Sequence, residues 1–183
     1  MRLISEKKAL VKLSAIRSEL KRSVSPYEAR AKSCGTCSTP GACCLDEHFV
    51  NVHISRLEAV AIAAALDELP AAQRRAIEER IEESVEKYRL TTDGDTYERT
   101  FACPLFERGS GCLVHSSGKP VPCIVHACYE KPEDLPPQQF QIEAENEIDV
   151  LNARTYGRRL PMMPLPLALR RAISARGGEG IKP

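Results

Sequence analysis

The chain reads as a mainly α protein, a small single domain of about five helices with irregular, cysteine-rich metal-binding loops. Three observations predict this class. Apolar residues recur at three- and four-residue spacing in several separate stretches, the signature of helices with one buried face. Helix-start signals precede several of those stretches. Eight cysteines fall in segments punctuated by Gly and Pro, where regular structure is interrupted.

Leu10, Leu13, Ile16 or Arg17, and Leu20 define an amphipathic helix over residues 5–22 with a basic outer face. Ser25, Pro26 and Glu28 follow as a second start signal and predict a short helix running to the first cysteine. The stretch 48–54 alternates Phe49, Asn51 and His53 against Val50, Val52 and Ile54, which predicts a short extended segment. Ser55 and Glu58 form a capping box ahead of an alanine-rich helix through Leu66 that stops before Pro70.

The next helix places Ile77, Ile81, Val85 and Tyr88 on one face, with Arg75–Glu79 and Glu83–Lys87 as oppositely charged pairs four residues apart. Residues 103–137 are broken by Gly and Pro and predict loop. From Pro137 to Tyr156, Phe140, Ala144, Ile148 and Leu151 return to helical spacing. Beyond Gly157, three prolines and a Gly-rich end predict an arm.

Organised this way, residues 1–33 form a basic helical N-terminal segment. Residues 34–156 form the cysteine-cluster domain, and residues 157–183 a basic Pro/Gly-containing C-terminal arm. The net charge of +1 conceals a segregation. Residues 1–33 hold nine Lys/Arg against three Asp/Glu, residues 34–153 ten against twenty-one, and residues 154–183 seven against one. Either the basic ends fold back onto an acidic body, or one arm meets an acidic protein partner or a nucleic-acid backbone. The near-neutral total excludes a bulk polycation for nucleic acid. No apolar run nears the roughly twenty residues a bilayer span requires. Charges spread through the first twenty residues do not make a secretory signal, so the expected compartment is the reducing cytoplasm. With no Trp, four Phe and five Tyr, the core has few large side chains, and bound metal would be a natural staple.

The cysteines supply the ligands. Cys34 and Cys37 are separated by two residues, and the adjacent pair Cys43–Cys44 follows after five more. Cys103, Cys112, Cys123 and Cys128 are separated by eight, ten and four residues. Clustered thiols in Gly- and Pro-rich loops of a chain without an export signal point to metal ligation, with Gly35 and Gly41 allowing tight knuckles. Thiolates suit zinc and iron–sulfur centres, including a 4Fe–4S cluster, alike. Neighbouring side chains tend to point apart, so Cys43 and Cys44 are expected to face different places. One would join Cys34 and Cys37 and the other the 103–128 loop, in two four-thiolate sites or one cluster with spare cysteines.

The order Cys-x2-Cys-x5-Cys-Cys, then Cys103-Pro-Leu-Phe, Gly111-Cys112-Leu-Val, Lys119-Pro120-x-x-Cys123 and Cys128, resembles the YkgJ-type cysteine-cluster family over residues 34–128. The resemblance implies zinc or iron chelation with all eight cysteines as ligands. The chain departs from it at Lys119 and Ile124, where that family usually has arginine, and lysine lacks the bidentate fork. His48, His53, His115 and His126 lie near cysteines and fit hydrogen-bonding or surface positions better than ligand positions. Asp46 and Glu47 read as loop carboxylates. The functional classes that follow are a metal-binding protein with a structural, electron-transfer or metal-handling role, a metal- or thiol-dependent enzyme such as a protein-modifying transferase or redox protein, and a partner-docking module.

Overall fold

A computed structural model describes residues 2–32, 39, 41–45, 50–93 and 95–178. Its chain divides into two compact units, one built from Met1–Pro40 and Lys119–Pro161, the other from Gly41–Gly118 and Met162–Pro183. Among the described residues five helices reach twelve residues or more, and the protein is mainly α as its periodicity predicts.

In the first unit, α1 (Glu6–Glu28) starts at Ser5, whose hydroxyl accepts from the Lys8 amide. Its buried stripe is Ala9, Leu13, Arg17, Leu20 and Val24. That stripe meets Ala144, Ile148 and Leu151 of the later helix α6 (Gln138–Tyr156), while Val121 and Ile124 add a further buried edge. The two long helices run antiparallel. At one end the Tyr156 hydroxyl donates to Glu6 at 2.8 Å, and at the other Tyr27 meets Phe140 edge-on at 6.2 Å. Gly157, at φ 76°, terminates α6 in the left-handed conformation that glycine adopts without a Cβ penalty.

The start signal at Ser25–Glu28 does not open a new helix. Pro26 lies inside the last turn of α1, where its missing amide removes one hydrogen bond close to the helix end. The chain turns only after Glu28, and the Lys32 amide then donates to the Cys128 carbonyl at 2.9 Å.

The second unit begins with the single turn α2 (Ala42–Leu45). Of the expected extended stretch, His48 and Phe49 lie outside the described residues, and His53–Ile54 forms β1. The capping box is present as predicted. The Ser55 side chain accepts from the Glu58 amide, and the Glu58 carboxylate accepts from the Ser55 amide at 3.0 Å. It opens α3 (Arg56–Asp67), and α4 (Ala71–Lys87) follows with Ile77, Ile81 and Val85 buried. An i,i+4 ion pair on α4 joins Arg74 and Glu78 at 3.6 Å. The loop region then contains the hairpin β2 (Phe106–Glu107) and β3 (Gly111–Cys112); the first unit's short α5 (Val121–Val125) lies beyond it in sequence.

The expected arm is corrected. Met163–Pro164 forms β4, antiparallel to β1 in the register His53↔Pro164, and residues Leu165–Gly178 form α7. Leu165, Leu167, Ala168, Leu169 and Ala172 of α7 are buried in this unit's core, where α7 packs against α3 and α4. Pro166 is compatible because the first turn of a helix has no amide partner to lose. The prolines that suggested an arm are the entry to a core helix.

Part of the segregated charge is paired within each unit. Arg170 reaches Glu82 at 3.6 Å and Arg176 reaches Asp67 at 2.7 Å in the second unit, and Arg159 reaches Asp149 at 3.4 Å in the first. Three arginines of the basic C-terminal segment thus pair with acidic residues of the body. These pairs are solvent-exposed and contribute at most about 1 kcal/mol each. Among the described residues no helix is long and apolar enough to cross a membrane.

Candidate metal centre

Six of the eight predicted ligands are described. Cys43, Cys44, Cys103 and Cys112 belong to the second unit, and Cys123 and Cys128 to the first. Cys34 and Cys37 lie outside the described residues, as do Gly35, Asp46, Glu47 and His48. All six described cysteines are partly buried thiols and none forms a disulfide.

Backbone geometry assembles the second unit's four thiols. Gly41, at φ 80°, turns the chain into α2, and its carbonyl accepts from both Cys44 and Leu45 at 2.8 and 2.9 Å. This position requires glycine for a second reason, since a Cβ there would stand 2.0 Å from Cζ of Phe106. The Cys103 amide donates to the Cys44 carbonyl at 2.7 Å, which ties the loop after α4 to α2. The Phe106 amide then turns back onto the Cys103 carbonyl at 3.3 Å, and Phe106 pairs with Cys112 across the hairpin. Gly109 and Gly111, both at φ 85°, permit the tight return. Three short backbone links therefore hold four cysteines from distant parts of the sequence in one neighbourhood.

Their electrostatics register that neighbourhood. Burial pushes the Cys44 thiol well above its ordinary range, and the Cys103 and Cys43 thiols push it further, with a hydrogen bond to Cys43 and a smaller effect from Cys112. A thiolate beside three others is unfavourable unless a cation offsets the charge. The Cys43 and Cys44 thiols lie near enough to act on each other's ionisation.

Among the described residues, no group of three or more His, Cys, Asp or Glu side chains is arranged to hold a metal ion as it stands. The quartet shares a neighbourhood without closing to coordination geometry. The donor set is nonetheless the one soft divalent ions and iron–sulfur clusters select.

In the first unit, Cys123 lies on α5 and Cys128 three residues beyond its end. Between them His126 has its basicity lowered by partial desolvation and then by the nearby Lys119. His53 is occupied structurally. Its Nδ1 lies 2.6 Å from the Asn51 carbonyl and its Nε2 3.1 Å from the Thr96 hydroxyl, and the ring stacks on Tyr97 at 4.0 Å. His115 is exposed, its amide bonded to the Cys112 carbonyl.

Two residues that brace the site are not evident from sequence. Phe106 fills the space over Gly41, and Arg80 of α4 donates from Nε to the Pro104 carbonyl at 2.9 Å. The only available signal is indirect. Phe106 belongs to the Cys103-Pro-Leu-Phe motif, whereas Arg80 reads as one charge among many on an amphipathic helix. A cleft of about 490 Å³ between α4 and α7, lined by Glu78, Glu82, Glu83, Arg170 and Ile173 over Ile81, contains no cysteine. No family model, no curated protein and no solved structure matches the chain.

Proposed function

We propose that the protein binds metal through cysteine thiolates, as zinc or as an iron–sulfur cluster, in a structural, electron-transfer or metal-handling role. The observation that carries this reading is the gathering of Cys43, Cys103 and Cys112 around the partly buried Cys44 thiol by the short backbone links between α2, the Cys103 turn and the β2–β3 hairpin. Four thiols in one partly buried neighbourhood, with no disulfide among the described cysteines, fit a soft metal. Deprotonation and a small inward movement of the side chains accompany binding, as they do wherever ligation is linked to protonation.

Cys34, Cys37, Cys123 and Cys128 are the further ligands in this reading, and the YkgJ-type resemblance supports the set of eight. A backbone bridge pairs Lys32 with Cys128. The bound group would supply a fixed cross-link, or a redox centre if it is a cluster. The chain's own residues bind and orient it, and the surrounding apolar residues limit water access. A reducing, cytoplasmic compartment suits ligands that must remain thiols.

Metal analysis and an absorption spectrum of anaerobically purified protein test the proposal. Stoichiometric zinc without colour, or iron and sulfide with broad visible absorption, is expected. A colourless chain holding less than one metal per molecule, and taking up none on addition of zinc or of ferrous iron with sulfide, would overturn it.

A further inference from the structure

We propose that the first unit binds an acidic protein segment at one end of its helix pair, where residues 2–8 and 154–159 form a single basic surface. Such binding requires no metal. In sequence these residues stand in two basic regions separated by an acidic one. The antiparallel packing of α1 and α6 brings them together. The Ile4 amide donates to the Arg154 carbonyl at 3.1 Å, Arg154 Nε donates to the Arg2 carbonyl at 3.2 Å, and the Tyr156 hydroxyl donates to Glu6. The Leu3 side chain lies beside Gly157, where an added Cβ would stand 3.9 Å from its Cδ2. Arg158 and Arg159 follow that turn, and both are exposed, as are Arg2, Lys7 and Lys8.

Helix stability explains only part of this charge. Arginines at the end of α6 complement the negative end of its dipole, but Lys7 and Lys8 occupy the first turn of α1, where the dipole opposes a cation. Among the described residues neither lysine nor Arg158 has an ion pair. Two carboxylates are bonded into the surface, Glu6 by Tyr156 and Asp149 by Arg159, against six Lys/Arg. The surplus cations are open to a partner's anions, and Leu3 stands 62% exposed beside them. Guanidinium forks pair with carboxylates and phosphates alike, so the surroundings decide between these. A nucleic-acid backbone, charged at every nucleotide, would run against Glu6 and Asp149, and the only ring among these residues, Tyr156, is tied by its hydroxyl. One exposed leucine is too little apolar area to hold a lipid surface. An acidic segment carrying an apolar residue among its carboxylates matches both the charge and Leu3.

Fluorescence anisotropy of the full chain with a labelled peptide of glutamates interrupted by leucine tests the proposal, with melting of each variant to establish that it is folded. Lys7→Gln with Lys8→Gln, and separately Arg158→Gln with Arg159→Gln, are each expected to weaken peptide binding by about 3- to 10-fold, the sum of two exposed charge contacts. The two pairs come from opposite ends of the chain, so equal losses identify one surface. Leu3→Ser changes no charge and should weaken binding by about 2- to 5-fold through lost apolar contact. The exposed pair Arg75→Gln with Arg108→Gln removes the same charge from the second unit and should leave the affinity unchanged. Absence of saturable peptide binding, an equal loss in the Arg75 and Arg108 variant, or no loss in Leu3→Ser would overturn the proposal. Tighter binding of a single-stranded oligonucleotide or of phosphatidylserine vesicles than of the peptide, lost in the same two pairs, would also overturn it and reassign the surface.

Discussion

The two units hold cysteines in different settings. The second surrounds its core with α3, α4 and α7, buries Phe101 completely, and packs Cys103 and Cys112 against that same core. The first closes on the facing stripes of α1 and α6, with no buried aromatic ring among its described residues, and carries Cys123 and Cys128 on and just beyond the single short helix α5. Thiols in the second unit are positioned by a scaffold that apolar burial stabilises on its own. In the first, fewer and smaller buried side chains form the core beside the cysteines.

The largest effects should separate the two cores. Phe101→Ala is expected to destabilise the second unit by about 3–5 kcal/mol, and Leu13→Ala the first by about 2–5 kcal/mol. Denaturant melts read by probes placed in each unit check this. If both substitutions shift both probes equally, the units unfold together and the contrast between them fails.

A smaller effect addresses the quartet. Gly41→Ala imposes a left-handed conformation on a residue with a Cβ and drives that atom into the Phe106 ring, for a cost of about 1–3 kcal/mol or more. Zinc affinity should fall with stability, because α2 and the hairpin can no longer close on each other. Unchanged zinc affinity in a folded Gly41→Ala protein would show that this packing does not position the thiols.

Ser55→Ala should cost about 1 kcal/mol through loss of the cap on α3, without affecting metal uptake. The capping box was fully legible in the sequence because all its signals lie within four residues. The same holds for the buried faces of α3, α4 and α6, whose periodicity is local. Non-local competition explains what was not legible. Pro26 carries the same signal at a helix start and in a final turn, and α1, packed against α5 and α6, runs on through it to Glu28. The prolines before α7 resemble a linker until β1 and the α3–α4 surface receive that segment. The grouping of Cys43 and Cys44 with Cys103 and Cys112 was not legible either, because it follows backbone links across more than fifty residues.

The smallest effect is a pH dependence. Burial lowers the basicity of His53 despite opposing contributions from Asn51, Thr96 and Asp95, so the folded chain keeps the ring neutral where the unfolded chain begins to bind a proton. The stability this contributes is complete above the ordinary histidine value of 6.5 and is lost progressively as pH falls below it. Melting of the protein against His53→Gln across that range should show a steeper acid decline in the unmodified chain. Parallel curves would remove His53 as the cause.

The central claim is that Cys43, Cys44, Cys103 and Cys112 act as one ligand set. Alkylation of the reduced, metal-free chain, repeated after stoichiometric zinc and mapped peptide by peptide, tests it most directly. Zinc is predicted to protect all four thiols together, with a common dependence on metal concentration. Equal alkylation of the four with and without zinc, or protection of one or two while the others react as before, would contradict it.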